Sequence, residues 1–267
     1  MSFDFTGKAV FVMGGTSGIN LGIAQGFAKA GARVAVASRS QDKVDAAVAT
    51  LGQGAFGFSV DVRDAEAVAA IFKEAQARFG QPIDVLVSGA AGNFPAPAKD
   101  LSANGFKAVA DIDLQGTFNV MKGAYPHLAR PGAIINISAP QAYVPMALQV
   151  HVCAAKAGVD MITRTLAMEW GPEGIRVNSL VPGPIAGTEG MARLAPTPEL
   201  TAMVEDSVPL KRNGSPADLA NAALFLASPL ASYISGVILP VDGGWSLAGV
   251  SSAMDGIARM MTKAGRG

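Results

Sequence analysis

The stretch Ala9-Val10-Phe11-Val12-Met13-Gly14-Gly15-Thr16-Ser17-Gly18-Ile19-Asn20-Leu21-Gly22 decides how this chain folds. Five apolar residues run into a pair of glycines and then into a segment with apolar residues at helical spacing. A short continuous apolar run closed by a turn reads as a strand buried on both faces. Glycine gives the backbone the freedom to turn sharply there and to approach a ligand closely. A phosphate placed at such a turn meets the amides and the positive dipole end of the following helix.

Outward from that unit the same alternation repeats. Apolar runs at Ala9–Met13, Arg33–Ala37, Gly57–Val60, Val85–Val87, Ala133–Ile137, Ile175–Leu180 and Val237–Leu239 predict seven buried strands. Helical spacing is found in Ile19–Ala30, Asp42–Thr50, Ala65–Phe79, Gly105–Leu128, Val150–Trp170 and Pro216–Ala227. Strands alternating with helices predict an α/β fold: a doubly wound, mostly parallel seven-stranded sheet of Rossmann type, with helices on both faces and right-handed crossovers. Pro182, Pro184, Pro196 and Pro198 predict one long surface loop, and Ser251–Lys263 reads as an amphipathic helix. No linker, repeat or charge block divides the 267 residues, so we expect a single domain with its core at about 6–245 and a tail at 246–267.

Composition removes several classes of function. The 21 basic and 21 acidic residues cancel, half the chain is hydrophobic and only 16% is charged. That balance fits neither a disordered tail nor a basic nucleic-acid surface, so no nucleic acid is expected as partner. No apolar run approaches the roughly 20 residues that span a bilayer, and no membrane partner is expected. A single cysteine, Cys153, and two histidines, His127 and His151, give no basis for a disulfide or a metal site. A reducing cytoplasm is the expected setting.

Ligands of such sheets bind beyond the carboxyl ends of the strands, where the strand order reverses. The second strand ends Ala37-Ser38-Arg39-Ser40, without the carboxylate that would accept from the ribose hydroxyls of NAD. This predicts NADP(H), with Arg39 on the 2′-phosphate and Ser40 beside it.

Five motifs carry a family resemblance: Gly14-x-x-x-Gly18 in the first turn, Asp61-Val62 after the third strand, Ala90-Ala91-Gly92 after the fourth, Lys156 in a long helix, and Pro182-Gly183-Pro184 after the sixth. In that order they resemble the short-chain dehydrogenase/reductase family over roughly residues 6–245. The resemblance implies a cofactor set of Gly14, Thr16, Ser17, Gly18 and Ile19 at the pyrophosphate, with Asp61 and Val62 at the adenine. It also implies Ala91 and Gly92 behind the ribose, Lys156 on the nicotinamide ribose, and Pro182, Gly183, Ile185 and Thr188 around the carboxamide.

Departures from the family pattern narrow the chemistry. The tyrosine expected four residues before the lysine is Val152, the expected serine position is Ala139 with Ser138 one place early, and an aspartate, Asp113, replaces the expected asparagine. Asn20 stands in place of the third glycine of the first turn, a position expected to tolerate a short side chain. Reduction of a ketone needs a group that stabilises and protonates one oxygen. Without it, either the chain binds nucleotide and is catalytically silent, a scaffold, or its substrate delocalises the charge onto a remote atom, as a conjugated thioester does.

Segments Ala90–Phe94, Asp111–Asp113 followed by Gly116–Asn119, Ala147–His151, Glu169–Pro172 and Gly183–Ile185 with Gly187–Gly190 resemble the peroxisomal-type 2,4-dienoyl-CoA reductase branch, which also lacks the tyrosine. This implies NADPH-dependent reduction of trans-2,4-dienoyl-CoA to a 3-enoyl-CoA, with Lys156, Asp113 and Asp160 as catalytic residues. Lys156 and Asp113 would order a proton-donating water, and Asp160, one helical turn on, would hold the lysine or the water. Tyr143 is a rival donor, although other relatives place their tyrosine at the position of Gln141. For the acyl-CoA substrate the resemblance points to Arg63, Phe94, Ser102, Asn104 and Arg193. It further implies a homotetramer. The other readings are a reductase of an enoyl or 3-oxoacyl thioester and the silent scaffold. The chain's end, Gly265-Arg266-Gly267, is not a peroxisomal address, which agrees with a cytoplasmic expectation.

Overall fold

A computed structural model describes residues 3–247. Seven strands form one sheet: β1 (Ala9–Met13), β2 (Arg33–Ser38), β3 (Phe56–Ser59), β4 (Ile83–Ser88), β5 (Leu128–Ile137), β6 (Ile175–Pro182) and β7 (Ile238–Val241). Their order is β3-β2-β1-β4-β5-β6-β7, every pair parallel. The chain therefore starts in the middle, builds outward to β3, and returns to lay β4 on the other side of β1. That reversal opens a crevice beyond the carboxyl ends of β1 and β4.

All five residues of β1 are fully buried, because helices cover both faces of the sheet. On one face pack α3 (Ala65–Phe79), α5 (Gly116–Ala124) and α6 (Val150–Trp170), with Phe11, Phe72, Leu86 and Ile134 in the core. On the other lie α1 (Gly18–Lys29), α2 (Gln41–Thr50) and α9 (Pro216–Ala227), around Val10, Ile23, Phe27 and Leu219. α1 and α9 touch along small residues: a Cβ on Gly22 would lie 2.3 Å from Pro216, and one on Gly26 would lie 2.8 Å from Ala220.

The structure differs from the sequence-based expectation in three places. The helix expected over Gly105–Leu128 is broken into α4 (Ala103–Val109), a wider π-helical segment Ala110–Gln115, and α5, and Leu128 already belongs to β5. At the break the Gly116 amide donates to the Asp111 carbonyl, five residues back, and the Thr117 hydroxyl takes the Asp113 carbonyl at 2.6 Å. Such bulges insert one residue into the helix and turn side chains out of the regular stripe. The expected Pro-rich loop contains α7 (Glu189–Leu194) and α8 (Pro198–Ser207), capped by the side chains of Thr188 and Thr197. Threonine before Glu-Gly, and threonine before a proline at the first helical position, are start signals that outweigh the prolines. β7 runs to Val241 and is only partly buried, as suits the edge of a sheet. The expected tail helix Ser251–Lys263 lies outside the described residues.

Candidate active site

The crevice at the strand reversal is a cleft of about 280 Å³. Met13, Gly14, Thr16 and Ser17 form its floor with Asn20, while Arg39, Ser40, Lys43 and Asp61 to Val62 close one end and Gly89 to Ala91 with Ile112 the other. Gly14 has φ +77°, and a Cβ there would meet the Ala90 amide nitrogen at 2.9 Å. Only glycine fits, for reasons of both backbone conformation and space. Ser17, the N-terminal cap of α1, spends no hydroxyl on its own helix. The hydroxyl and the first amides of α1 thus remain available to an anion. Thr188 packs over Gly18, 3.5 Å from where a Cβ would stand, so the segment after β6 closes on the same helix end.

Asn20 does more than tolerate the place of the third glycine. Its Nδ2 donates to the Gly89 carbonyl at 2.8 Å and ties the first turn to the end of β4. That carbonyl would otherwise lie unpaired at the cleft, and Gly89 leaves the room, since a Cβ there would collide with Asn20 at 2.4 Å.

At the other end, Asp61 accepts from the Arg63 backbone amide and from Nε, both at 3.0 Å. The guanidinium holds the Asp61 carboxyl down at about 2. Arg63 is therefore committed to Asp61, at the Arg39 end of the cleft, and is not grouped with Phe94. Ser40 caps α2, and Lys43, in the first turn of that helix, faces the cleft beside Arg39. Lys43 was missed in the sequence, although its place four residues beyond Arg39 is a readable sign of a second cation on one helix end.

Deeper in the molecule the structure brings Asp113, Lys156 and Asp160 together. Asp113 is 1% exposed and Lys156 6%. Asp113 Oδ1 accepts from the Gly92 amide at 2.6 Å, and Oδ2 lies 3.3 Å from Lys156 Nζ. Lys156 also donates to the Ile137 carbonyl at 3.1 Å. The sequence expectation has Asp160, one turn on, holding the lysine or the water; the ammonium lies against Asp113, which the π-helical segment brings inward. Asp160 sits below, 4% exposed, with Ser138 and Ser179 near its carboxyl. Burial pushes its pKa up, and this outweighs the downward pull of Ser138, Arg164 and Lys156. Asp160 Oδ1, Ser138 Oγ and Asp113 Oδ2 make no hydrogen bond of normal geometry within the protein. Buried polar atoms in that state call for a small hydrogen-bonding guest such as water.

Val152, where a tyrosine was expected, packs with Val109 and Ala155 against Leu114. Tyr143 is 48% exposed and its hydroxyl pairs with Ser246 Oγ at 3.3 Å, not with Lys156. Burial of its ring side also raises the phenol pKa. Phe94 stands 38% exposed at the mouth of the site. Ser102 uses its hydroxyl to cap α4, accepting from Gly105 at 3.0 Å, and Asn104 is exposed on the first turn of that helix. Gly183 lies against Asp242, which a Cβ would approach to 2.7 Å, and Ile185 is buried beside it. Pro182 ends β6. Arg193 falls in α7, but its side chain lies outside the described residues. Among the described residues no His, Cys, Asp and Glu side chains converge on a metal site, and no helix is long and apolar enough to cross a membrane.

A glycine-cradled phosphate turn at the strand reversal, with a buried lysine beyond it, defines a nucleotide-dependent oxidoreductase fold. The chain belongs to the short-chain dehydrogenase/reductase family, which binds a nicotinamide cofactor: the family profile described as enoyl-(acyl carrier protein) reductase matches residues 14–246. It is 48% identical over 244 residues to the peroxisomal 2,4-dienoyl-CoA reductase [(3E)-enoyl-CoA-producing] of Pongo abelii, covering 89% of this chain and 83% of that one. Identity is 41% to a Bacillus subtilis protein named "Probable 2,4-dienoyl-CoA reductase [(2E)-enoyl-CoA-producing]", over 89% and 96% of the two chains. A solved structure from Beutenbergia cavernae, named for an NAD(P)-dependent gluconate 5-dehydrogenase and carrying NADP at low occupancy, superposes with TM-score 0.85 at 32% identity, covering 92% and 99%.

Proposed function

We propose that this chain reduces trans-2,4-dienoyl-CoA to 3-enoyl-CoA with NADPH. The observation that carries the reading is the buried Asp113–Lys156 pair beside an apolar Val152, a proton-handling site without the hydroxyl that ketone chemistry needs. The curated relatives named for dienoyl-CoA reduction support it.

The cleft fits NADPH: its floor is free of side chains at Gly14, and Arg39 with Lys43 offers two cations to the 2′-phosphate. Gly14, Thr16, Ser17, Gly18 and Ile19 would hold the pyrophosphate, Asp61 and Val62 the adenine, Ala91, Gly92 and Lys156 the nicotinamide ribose, and Pro182, Gly183, Ile185 and Thr188 the carboxamide. When bound, the cofactor supplies the hydride.

A dienoyl thioester would accept the hydride at the far end of the diene, with the negative charge spread to the thioester oxygen. Lys156 supplies the positive field that favours this charge. Asp113 holds Lys156 in place through Oδ2 and, at that same oxygen, would hold a water whose proton goes to the carbon next to the thioester. Asp160, whose carboxyl pKa is raised by burial, would return a proton to the resulting hydroxide and regain one from solvent before the next turnover. Phe94, Asn104 and Arg193 would line the acyl-CoA path, with Ser102 setting the turn beneath and Arg63 at the nucleotide end. A cytoplasmic setting and a homotetramer complete the reading; exposed Phe118, Met161 and Met168 on α5 and α6 support self-association.

The test follows NADPH absorbance with 2,4-hexadienoyl-CoA and 2,4-decadienoyl-CoA beside crotonyl-CoA and acetoacetyl-CoA, and locates the product double bond by NMR. Turnover of the dienoyl esters to the 3-enoyl product is expected. Oxidation of NADPH by acetoacetyl-CoA alone would overturn the reading, and a 2-enoyl product would overturn the assigned site of protonation.

A further inference from the structure

His151 is fully buried in the first turn of α6, and the chemistry above makes no use of it. Its Nε2 lies 3.0 Å from the Phe94 carbonyl. A carbonyl only accepts, so Nε2 carries a proton and donates it to Phe94. Nδ1 has no partner and is shut away from water, which leaves the ring no route for passing protons. A role as general acid or base is thereby disfavoured, and its geometry serves another purpose.

The segment from Gly92 to Ala96 is held at alternate residues. Gly92 donates to Asp113, the Phe94 carbonyl accepts from His151, and Ala96 donates to the Leu148 carbonyl at 3.0 Å. Leu148 has φ +66°, a costly conformation for a branched side chain, and it lies in the same turn that leads into α6. The rings of Phe94 and His151 lie 4.7 Å apart. Gly105 leaves the space for Phe94, since a Cβ there would come within 3.3 Å of the ring. The segment after β4 is thus held at three points: by Asp113 of the π-helical segment at one end, by His151 of α6 in the middle, and by Leu148 in the turn leading into α6 at the other.

We propose that His151 is a positioning residue which fixes the Gly92–Ala96 strap, and through it the Phe94 wall against which the acyl thioester lies. The inference rests on the acyl-CoA reading, because a wall at Phe94 matters only to a substrate that passes it. His151 acts through Phe94 and touches neither cofactor nor substrate.

Two variants separate this from a general packing role. His151→Phe keeps a ring and removes the donor; His151→Gln brings an amide nitrogen close to the place of Nε2. In the Phe variant the KM for 2,4-decadienoyl-CoA should rise about tenfold, as expected for a lost hydrogen bond plus a loosened wall, while the NADPH dissociation constant stays within about twofold. The Gln variant should recover most of the loss. Amide hydrogen exchange of a peptide covering residues 92–98 should quicken in the Phe variant and return toward wild type in the Gln variant. An unchanged KM and unchanged exchange in the Phe variant would overturn the proposal, as would a Gln variant as impaired as the Phe one or an equal rise in the NADPH constant. If the wild-type protein turned over no dienoyl-CoA, the functional reading would fail, and the exchange experiment would still decide whether His151 holds the strap.

Discussion

Replacing Asp113 by asparagine keeps the size of the side chain and deletes the charge opposite Lys156. At 3.3 Å and an effective dielectric constant of about 20, the two charges attract by roughly 5 kcal/mol. Burying the ammonium and the carboxylate already offsets much of that, so the net worth of the pair is smaller than its removal cost. Removal of one partner from a buried pair costs about 3–5 kcal/mol, and the lower end applies because the Ile137 carbonyl still accepts from Nζ. In a domain of this size about 3 kcal/mol lowers Tm by roughly 6–12 °C. Loss of a positioned proton-transfer group should also depress kcat by about 10²–10⁴-fold. Thermal melts of the cofactor-free protein and steady-state turnover of dienoyl-CoA measure both effects. Adding Lys156→Met removes the stranded ammonium, and this double variant should regain at least half of the lost Tm while its turnover stays low. An Asp113→Asn protein that melts within about 2 °C of wild type and keeps more than about a third of its kcat would refute the reasoning.

Three further outcomes follow from the site. Arg39→Ala should weaken NADPH binding by about ten- to a hundredfold and leave NADH nearly unchanged, since one charge-assisted contact to a phosphate contributes about 1.5–3 kcal/mol; equal effects on both cofactors in a fluorescence titration would contradict the 2′-phosphate assignment. Gly14→Ala should abolish cofactor binding and lower stability by about 1–3 kcal/mol, because the new methyl meets the Ala90 amide at 2.9 Å in a left-handed conformation. Burial raises the Asp160 carboxyl, so as pH climbs above the ordinary value of about 3.9 the unfolded chain gives up its proton before the folded one. Folding stability contributed at Asp160 therefore falls with rising pH until the folded group titrates and is level beyond. Urea midpoints of Asp160→Asn should lack that decline relative to wild type between about pH 4 and the raised value.

Much of the scaffold is legible in local sequence. The buried runs Val10–Val12 and Ile134–Ile137 need only a sheet covered on both faces to be strands, and Gly14 and Gly18 mark the phosphate turn wherever the rest of the chain goes. Start signals for α7 and α8 were also present at Thr188 and Thr197, hidden by the surrounding prolines. The absence of a hydroxyl at Val152 was equally plain, and it argued against ordinary ketone reduction while leaving an enoyl or 3-oxoacyl thioester reductase open.

The family resemblance grouped Lys156, Asp113 and Asp160, but local spacing did not say which carboxylate takes the ammonium. Spacing along α6 puts Asp160 beside Lys156, yet a π-helical insertion 43 residues upstream of Lys156 turns Asp113 inward to take its charge. Arg63 pairs with Asp61 two residues away on the surface, and Tyr143 reaches Ser246, more than 100 residues on in the chain. Asn20 bonding Gly89 and His151 bonding Phe94 each join segments more than 50 residues apart. Local sequence fixed the elements and the phosphate turn, because periodicity and glycine act over a few residues; the proton-handling partners were decided by tertiary structure, because a buried charge takes the partner that the packed core places nearest.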